Sequence, residues 1–286
     1  MRKKIILPML IALLLASILG MILYQRSLSR SQDINERLKE LAASSRDAGD
    51  ASAGNQDTEG GADENETDGN KAGSHKDDDS AGSKDKSKSK SKSTFVSPIN
   101  FQALQEENPD IYGWIRMDDT VIDYPILQSS PQDPDYYEKH TVEGTEGYPG
   151  AIFTESDLNQ KPFEDPVTVI YGHRMKNDTM FGSLDLWQEE DYREAHSQIQ
   201  VFTQDHTYTY TIALVQVYDN RNILATYDCS SRKGYAAFLE SLENVRSIPY
   251  WHSEELEIST DQSMIILSTC YGDNRLLIGA VLTEKQ

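Results

Sequence analysis

The feature that most limits the fold of this chain is a long stretch, ending near residue 93, that contains no aromatic side chain. Its central part reads RDAGDASAGNQDTEGGADENETDGNKAGSHKDDDSAGS and shows no apolar periodicity. Such a sequence cannot bury enough apolar surface to offset the entropy lost on ordering. We therefore predict a disordered, charged tether over residues 25–94, in which residues 31–43 could form a short juxtamembrane helix. A packed core is left to residues 95–286, which are enough for one domain.

The N-terminus is suited to a membrane. Residues 1–4 are basic, and residues 5–24, IILPMLIALLLASILGMILY, carry no charge. Twenty residues at about 1.5 Å per residue span the hydrocarbon core of a bilayer, which is roughly 30 Å thick. A cleaved signal peptide shares these features, but the length of the run and the lack of a clear small-residue cleavage site before Tyr24 favour an uncleaved signal anchor. The positive-inside rule then predicts a cytoplasmic start at residues 1–4, a single transmembrane helix at 5–24 and the rest of the chain outside the cell.

The net charge of −20 is partly a property of the tether and does not describe a binding cleft. A basic run, KDKSKSKSKS, occupies residues 84–93. It is either a solvated spacer or a segment attracted to anionic wall polymer or lipid.

Strand-forming runs dominate the folded part. They are rich in β-branched and aromatic residues and cover residues 120–127, 150–154, 166–173, 199–203, 207–219, 263–270 and 275–283. Residues 203–206 read as a hairpin turn. A helix capped by Asn100 opens the domain, and SRKGYAAFLESLENVRSI has the i, i+3, i+4 apolar spacing of an amphipathic helix. Strands this numerous, without regular alternation with helices, predict a mainly β fold with a mainly antiparallel sheet closing into a barrel.

The chain has two cysteines, Cys229 and Cys270. Outside the cell they could form a disulfide, and the chain would then be a non-catalytic wall-binding domain. Cys270, however, ends an apolar strand, where its sulfur could face a cleft as a nucleophile. Arg275 follows across a tight loop and would lie close to it. His173 ends another apolar strand, after Gly172, which permits close backbone approach, and could supply a base.

These motifs resemble the sortase family of membrane-anchored cysteine transpeptidases. The resemblance rests on VIYGHRMKNDTMFGSL and on ILSTC followed by an arginine. It extends through NPDIYGWIRMDDTVIDYPILQ, DYYEKHTVEGTEGYPGAIF and the helix at 231–248, and so covers nearly all of residues 97–286. The longer stretches and the inserted helix look most like class B sortases. The segment between the cysteine and the arginine is shorter than that class usually has.

The resemblance implies a sortase-like closed barrel with an N-terminal helix and an inserted amphipathic helix. It also implies that Cys270 is the nucleophile, His173 the general acid/base and Arg275 the group that orients the substrate and stabilises an oxyanion. Ser268, Thr269 and Tyr271 are candidate substrate contacts. The implied reaction cleaves a C-terminal sorting signal of an exported protein and transfers the protein, through a thioester, to an amine of peptidoglycan. An exported cysteine peptidase that uses water in the second step remains the alternative.

The other histidines show no spacing typical of a metal site. His75 lies in the tether, and the remainder, His140, His196, His206 and His252, lie in predicted loops, turns or polar stretches without a spaced Cys, His or Asp partner. No nucleotide-binding loop is visible either. We therefore predict an enzyme that needs no cofactor or metal and has no nucleic-acid partner, and we interpret Cys229 as a structural thiol.

Overall fold

The predicted strand-forming runs build one sheet in the computed structural model, which describes residues 3–44, 95–244, 248–256 and 258–286. Within those residues the sheet has nine strands. They are β1 (Ile111–Arg116), β2 (Asp123–Leu127), β3 (Ile152–Phe153), β4 (Val167–Tyr171), β5 (Gln198–Phe202), β6 (Thr207–Tyr218), β7 (Ile248–His252), β8 (Met264–Tyr271) and β9 (Asn274–Lys285).

The sheet closes on itself. Its order is β5-β1-β2-β3-β4-β8-β9-β6-β7, and an additional pairing of β5 with β6 joins the first strand to the eighth, so β7 lies outside the ring. The pairs β2–β3 and β4–β8 are parallel and the others antiparallel. The prediction of a mainly β fold that closes into a barrel is confirmed.

Two strands were not predicted. β1 lies in a segment that we did not assign to an element, and β7 is an outer strand with three exposed residues, so its sequence has no buried face to reveal it. The predicted strand at 120–127 begins only at Asp123. Thr120 instead forms a turn, in which its backbone N–H donates to the Met117 carbonyl at 3.2 Å.

The helices lie around the barrel. They are α1 (Lys3–Ala43), α2 (Phe101–Glu107), α3 (Tyr136–Lys139), α4 (Glu190–Ala195), α5 (Ile223–Thr226) and α6 (Arg232–Leu242), with a 3-10 helix at Gly182–Gln188. Asn100 caps α2 as predicted, because its side chain accepts a hydrogen bond from the Ala103 N–H at 3.1 Å. In α6, Tyr235, Phe238 and Leu242 are buried, as the apolar spacing predicts, but the helix ends at Leu242 and the last residue of the predicted helix, Ile248, begins β7. Val245, on the same predicted face, lies outside the described residues.

Helix α1 extends well beyond the predicted anchor. We expected a tether from residue 25 with a short helix at residues 31–43; that helix is confirmed, but residues 25–30 are helical too and join it to the apolar run. The reason is a second apolar stripe: Ile34, Leu38 and Ala42, spaced four residues apart, are buried in the same apolar cluster as Phe101. The backbone N–H of Asn100 also donates to the Ala42 carbonyl at 2.9 Å. The rest of the predicted tether, residues 45–94, lies outside the described residues.

The first part of α1 differs from the second. Large apolar side chains from Met9 to Leu23 are exposed, and this part of the helix is long and apolar enough to cross a membrane. Its insertion in a bilayer remains a prediction.

Candidate active site

A tight hairpin brings Cys270 and Arg275 together. Strand β8 is buried from Met264 to Thr269 and leaves Cys270 exposed at the rim of the barrel. The chain turns at Gly272, whose φ of 61° favours glycine, and returns as β9. In the resulting register Cys270 lies opposite Arg275, and the Nη1 atom of the arginine is 3.6 Å from the Cys270 Sγ.

His173 reaches the same rim from the neighbouring parallel strand. Tyr171 on β4 is paired with Ser268 on β8, and the Gly172 N–H donates to the Ser268 carbonyl at 3.2 Å. The Thr269 hydroxyl donates to the Gly172 carbonyl at 2.8 Å. His173 lies two residues beyond Tyr171, and Cys270 lies two residues beyond Ser268. Because Tyr171 and Ser268 face each other on parallel strands, His173 and Cys270 lie at the same edge of the barrel.

Gly172 is required by crowding, as its sequence context predicts. A Cβ atom at this position would lie 2.5 Å from Ile152 Cδ1 and 2.7 Å from Phe181 Cδ2. The Phe181 N–H also donates to the His173 carbonyl at 3.1 Å. The backbone that carries His173 is therefore held from two sides.

The imidazole of His173 has its own partners. Its Nε2 atom is 2.7 Å from the backbone carbonyl of Glu138, and the ring of Tyr148 lies at a centroid distance of 5.1 Å. Because a carbonyl only accepts, Nε2 must carry the hydrogen of this bond. In the neutral ring, Nδ1 is then the nitrogen able to take a proton.

The three side chains border an open cleft of about 230 Å³. Its other lining residues are Asp135, Glu138, Phe153, Glu155, Tyr171, Gly172, Tyr218, Asp219, Asn220, Arg221, Asn222, Ile223, Ser268 and Leu277. Four of these side chains are acidic. The cleft therefore brings carboxylates near the Cys270 thiol and the guanidinium groups of Arg221 and Arg275. About half of these residues, among them Asn220, Arg221 and Asn222, lie in loops, whereas Tyr171, Tyr218 and Ser268 lie in strands that the sequence predicts.

Of the three candidate substrate contacts, the structure places Ser268 in the cleft and the other two elsewhere. Thr269 is fully buried, and its hydroxyl is used by the Gly172 carbonyl. Tyr271 contacts the Tyr250 hydroxyl at 3.2 Å and lies under the guanidinium of Arg174. Thr269 therefore has its hydroxyl occupied within the barrel, Tyr271 lies part-exposed at the rim, and the substrate contacts of all three residues remain predictions.

Glu155 is a cleft residue that we did not identify from the sequence. Its two carboxylate oxygens accept hydrogen bonds of 2.9 and 2.8 Å from the Asn222 side-chain amide. Burial raises the pKa of this carboxyl, although the Asn222 hydrogen bond lowers it. Burial, and then the nearby Glu155 carboxylate, raise the pKa of Tyr171. Glu155 and Asn222 are 67 positions apart, which explains why no sequence pattern reveals the pair.

The two cysteines are free, so the structure contradicts the alternative of a Cys229–Cys270 disulfide. Cys229 is buried in the apolar cluster that includes Tyr235 and Phe238 of α6, far from water rather than at the rim. Burial raises the pKa of its thiol to about 12. Its environment fits the predicted structural role.

Among the residues described, no group of three or more His, Cys, Asp or Glu side chains is arranged to hold a metal ion. His140 and His196 face backbone carbonyls, and His252 binds the Gln216 side chain at 2.7 Å. His75 lies outside the described residues. The independence from metals and cofactors remains a prediction.

Comparison with known proteins agrees with this fold. A family model described as a sortase domain matches residues 115–283. Sortase B of Listeria monocytogenes is 32% identical over 195 residues, which cover 64% of this chain and 73% of that protein. A crystal structure of sortase B from B. anthracis in complex with AAEK2 superposes with a TM-score of 0.56 at 33% identity, covering 65% of this chain and 83% of the other. A Staphylococcus aureus sortase B-substrate complex, at 23% identity and a TM-score of 0.56, shares the fold.

The chain therefore belongs to the sortase family of cysteine transpeptidases, and within it resembles class B. The resemblance that the sequence motifs carried is confirmed.

Proposed function

We propose that Cys270 is the nucleophile of this transpeptidase, His173 its general acid/base and Arg275 the group that stabilises the oxyanion. The observation that carries the proposal is the cross-strand pairing that leaves Arg275 Nη1 3.6 Å from Cys270 Sγ, at the rim where His173 follows the end of the adjacent strand β4. A nucleophile and a base at neighbouring strand ends are the arrangement that covalent acyl transfer requires.

The reaction has two halves. In the first, the Cys270 thiolate attacks a backbone carbonyl of the substrate, the C–N bond breaks, and protonated His173 gives its proton to the departing amine. The product is a thioester on Cys270. In the second, an amine attacks the thioester, His173 takes up the proton, and the thiolate leaves.

Arg275 suits the oxyanion better than a lysine would. Its guanidinium is charged at any relevant pH and presents several N–H donors in a fixed plane. Donors already in place where negative charge develops stabilise the transition state without reorganisation. Because Arg275 already lies beside the sulfur, an oxyanion formed at the attacked carbonyl is within reach of the same fork.

The substrates we propose are exported proteins with a C-terminal sorting signal, and the acceptor is an amine of peptidoglycan. The membership of the chain in the sortase family supports both. We further propose that residues 5–24 anchor the enzyme as a single-pass membrane protein with its catalytic domain outside the cell. The exposed apolar side chains of the first part of α1 support this anchoring.

The test uses the full chain in detergent micelles with a panel of sorting-motif peptides, with and without amine acceptors, read by mass spectrometry. We expect an acyl adduct on Cys270 that passes to an amine. Cys270→Ala and His173→Ala should lose turnover, and Arg275→Lys should be severely impaired, whereas Cys229→Ala should retain activity. Cleavage that never transfers to any amine would favour the peptidase alternative. Substantial turnover by Cys270→Ala would show that the mechanism is wrong.

A further inference from the structure

The loop of residues 140–150 connects α3 to β3 and lies between helix α1 and the imidazole of His173. Its end is fixed against α3: the Ala151 N–H donates to the Tyr137 carbonyl at 2.9 Å, and the Gly147 N–H donates to the Lys139 carbonyl at 2.8 Å. Gly150 has a φ of 69°, and a Cβ there would lie 2.6 Å from the Glu138 carbonyl oxygen. The loop and α3 therefore form one unit.

This unit supplies both partners of the His173 ring. Glu138, in α3, provides the carbonyl that binds Nε2 at 2.7 Å. Tyr148, near the end of the loop, provides the aromatic ring, tilted by 53° at a centroid distance of 5.1 Å. The rotamer of the imidazole is therefore set by how the 140–150 loop is placed.

Helix α1 holds the other side of the same loop. The Tyr24 ring stacks on Tyr148 at 6.1 Å, and the Ser27 hydroxyl donates to the Tyr148 carbonyl at 2.5 Å. One turn further along, Arg30 Nη2 is 2.7 Å from a carboxylate oxygen of Glu143. With successive centroid distances of 6.1 and 5.1 Å, the rings of Tyr24 and His173 are at most about 11 Å apart.

A second arginine of α1 reinforces the contact. Arg37 lies 3.4 Å from the second carboxylate oxygen of Glu143 and 3.0 Å from a carboxylate oxygen of Glu107, the last residue of α2. The C-terminal half of α1 packs on the domain through its buried residues Ile34 and Leu38. The loop is therefore tied to a helix that is itself packed on the domain.

We propose that helix α1 positions the catalytic histidine, and that Tyr148 is the positioning residue through which it acts. The proposal rests on the role of His173 in the proposed function. Exposed ion pairs such as those of Arg30 and Arg37 add little to global stability. The placement of a reacting group matters far more, because a misplacement of about 1 Å can cost about 100-fold in rate. Removing the contacts between α1 and the loop should therefore lower kcat clearly and change the midpoint of thermal unfolding little.

The experiment uses the full chain in detergent micelles and the panel peptide that the parent enzyme turns over fastest. We expect Arg30→Gln/Arg37→Gln to lower kcat by about 10-fold to 100-fold, with little change in KM or in the midpoint of thermal unfolding. Arg30→Lys/Arg37→Lys, which keeps the ion pairs, should restore most of the rate. Lys39→Gln is the matched control: it removes a cation from the same helix, but one whose ion-pair partner is Glu36 on that helix.

Tyr148 provides the second series. Tyr148→Phe keeps the ring and should retain kcat, whereas Tyr148→Ala should lower kcat to the same degree as the double arginine variant. Combining Tyr148→Ala with that variant should add little further loss, because both changes act on one contact.

A readout that needs no substrate separates this proposal from the proposed function. The Cε1–H signal of His173 in a ¹H–¹³C spectrum, assigned with His173→Asn, senses the neighbouring Tyr148 ring. We expect it to shift in the same direction in the double arginine variant and in Tyr148→Ala, and to stay in place in Lys39→Gln. If the parent processes no peptide but the signal shifts in this way, the positioning stands and the proposed function fails. A double arginine variant with parental kcat, or with an unmoved signal, would overturn the positioning.

Discussion

The hydroxyl of Thr269 joins the strand that carries Cys270 to the strand that carries His173. It is fully buried and donates to the carbonyl of Gly172, 97 positions away in the sequence. Thr269→Val keeps the shape of the side chain and removes only the donor. Losing a hydrogen bond of this kind costs about 0.5–1.5 kcal/mol, and about 1–3 kcal/mol where the carbonyl is left without a partner.

The change should therefore be measurable in both stability and rate. A loss of about 1–2 kcal/mol lowers the midpoint of thermal unfolding by about 2–8 °C in a domain of this size. Because Gly172 immediately precedes His173, releasing its carbonyl should also lower kcat by at least about tenfold. KM should change little, since Thr269 does not line the cleft.

Thr269→Ser is the matched control. It keeps the donor but loses one methyl group, which costs about 0.5–1.5 kcal/mol through the small cavity left behind. The two variants should therefore unfold at similar temperatures while only Thr269→Val loses kcat. Calorimetry measures the unfolding temperature of each variant, and steady-state kinetics measures its kcat and KM. An equal loss of kcat in both would refute the reasoning, and a rise in KM confined to Thr269→Val would support the substrate contact that we predicted from the sequence.

Three further changes test other parts of the site. Native protein at pH 7 should react with iodoacetamide at Cys270 alone. Cys229 should react only after unfolding, because burial protects its thiol and raises the pKa of that thiol to about 12. Rapid reaction of both thiols in the native protein would contradict this. In Gly172→Ala the new Cβ would lie 2.5 Å from a side-chain methyl, so the free energy of unfolding should fall by about 1–3 kcal/mol and kcat should fall as well. Gly279 is equally crowded, and Gly279→Ala should lower the free energy of unfolding without lowering kcat. Burial raises the folded-state pKa of Glu155, so this group favours folding below its ordinary pKa and loses that contribution as the pH rises through the raised value. The unfolding midpoint of Glu155→Gln relative to the parent should therefore increase between pH 4 and pH 7, and a constant difference would count against a raised pKa.

The sequence by itself determined most of the local elements, named Cys270, His173, Arg275 and Ser268 as candidates, and fixed the pairing of Cys270 with Arg275. Runs of β-branched and aromatic residues located most of the strands, and the apolar spacing located α6, because both patterns depend only on neighbouring residues. The same holds for Cys270 and Arg275, since a tight hairpin fixes which residues face each other. The apolar stripe in residues 34–42 was also present in the sequence, but its meaning depended on a partner surface more than fifty positions away.

Only the tertiary structure decided which strands are neighbours. The parallel pairing of β4 with β8 brings His173 to the level of Cys270, and no local pattern specifies that pairing. The same is true of the Ser27 contact with Tyr148, 121 positions away, and of the bond between Asn222 and Glu155. Contacts of this kind form because barrel closure and burial of apolar faces choose one strand order for the whole domain. The shape of the cleft is therefore a property of the closed sheet, and lining residues such as Glu155 and Asn222 could be named only once that sheet was known.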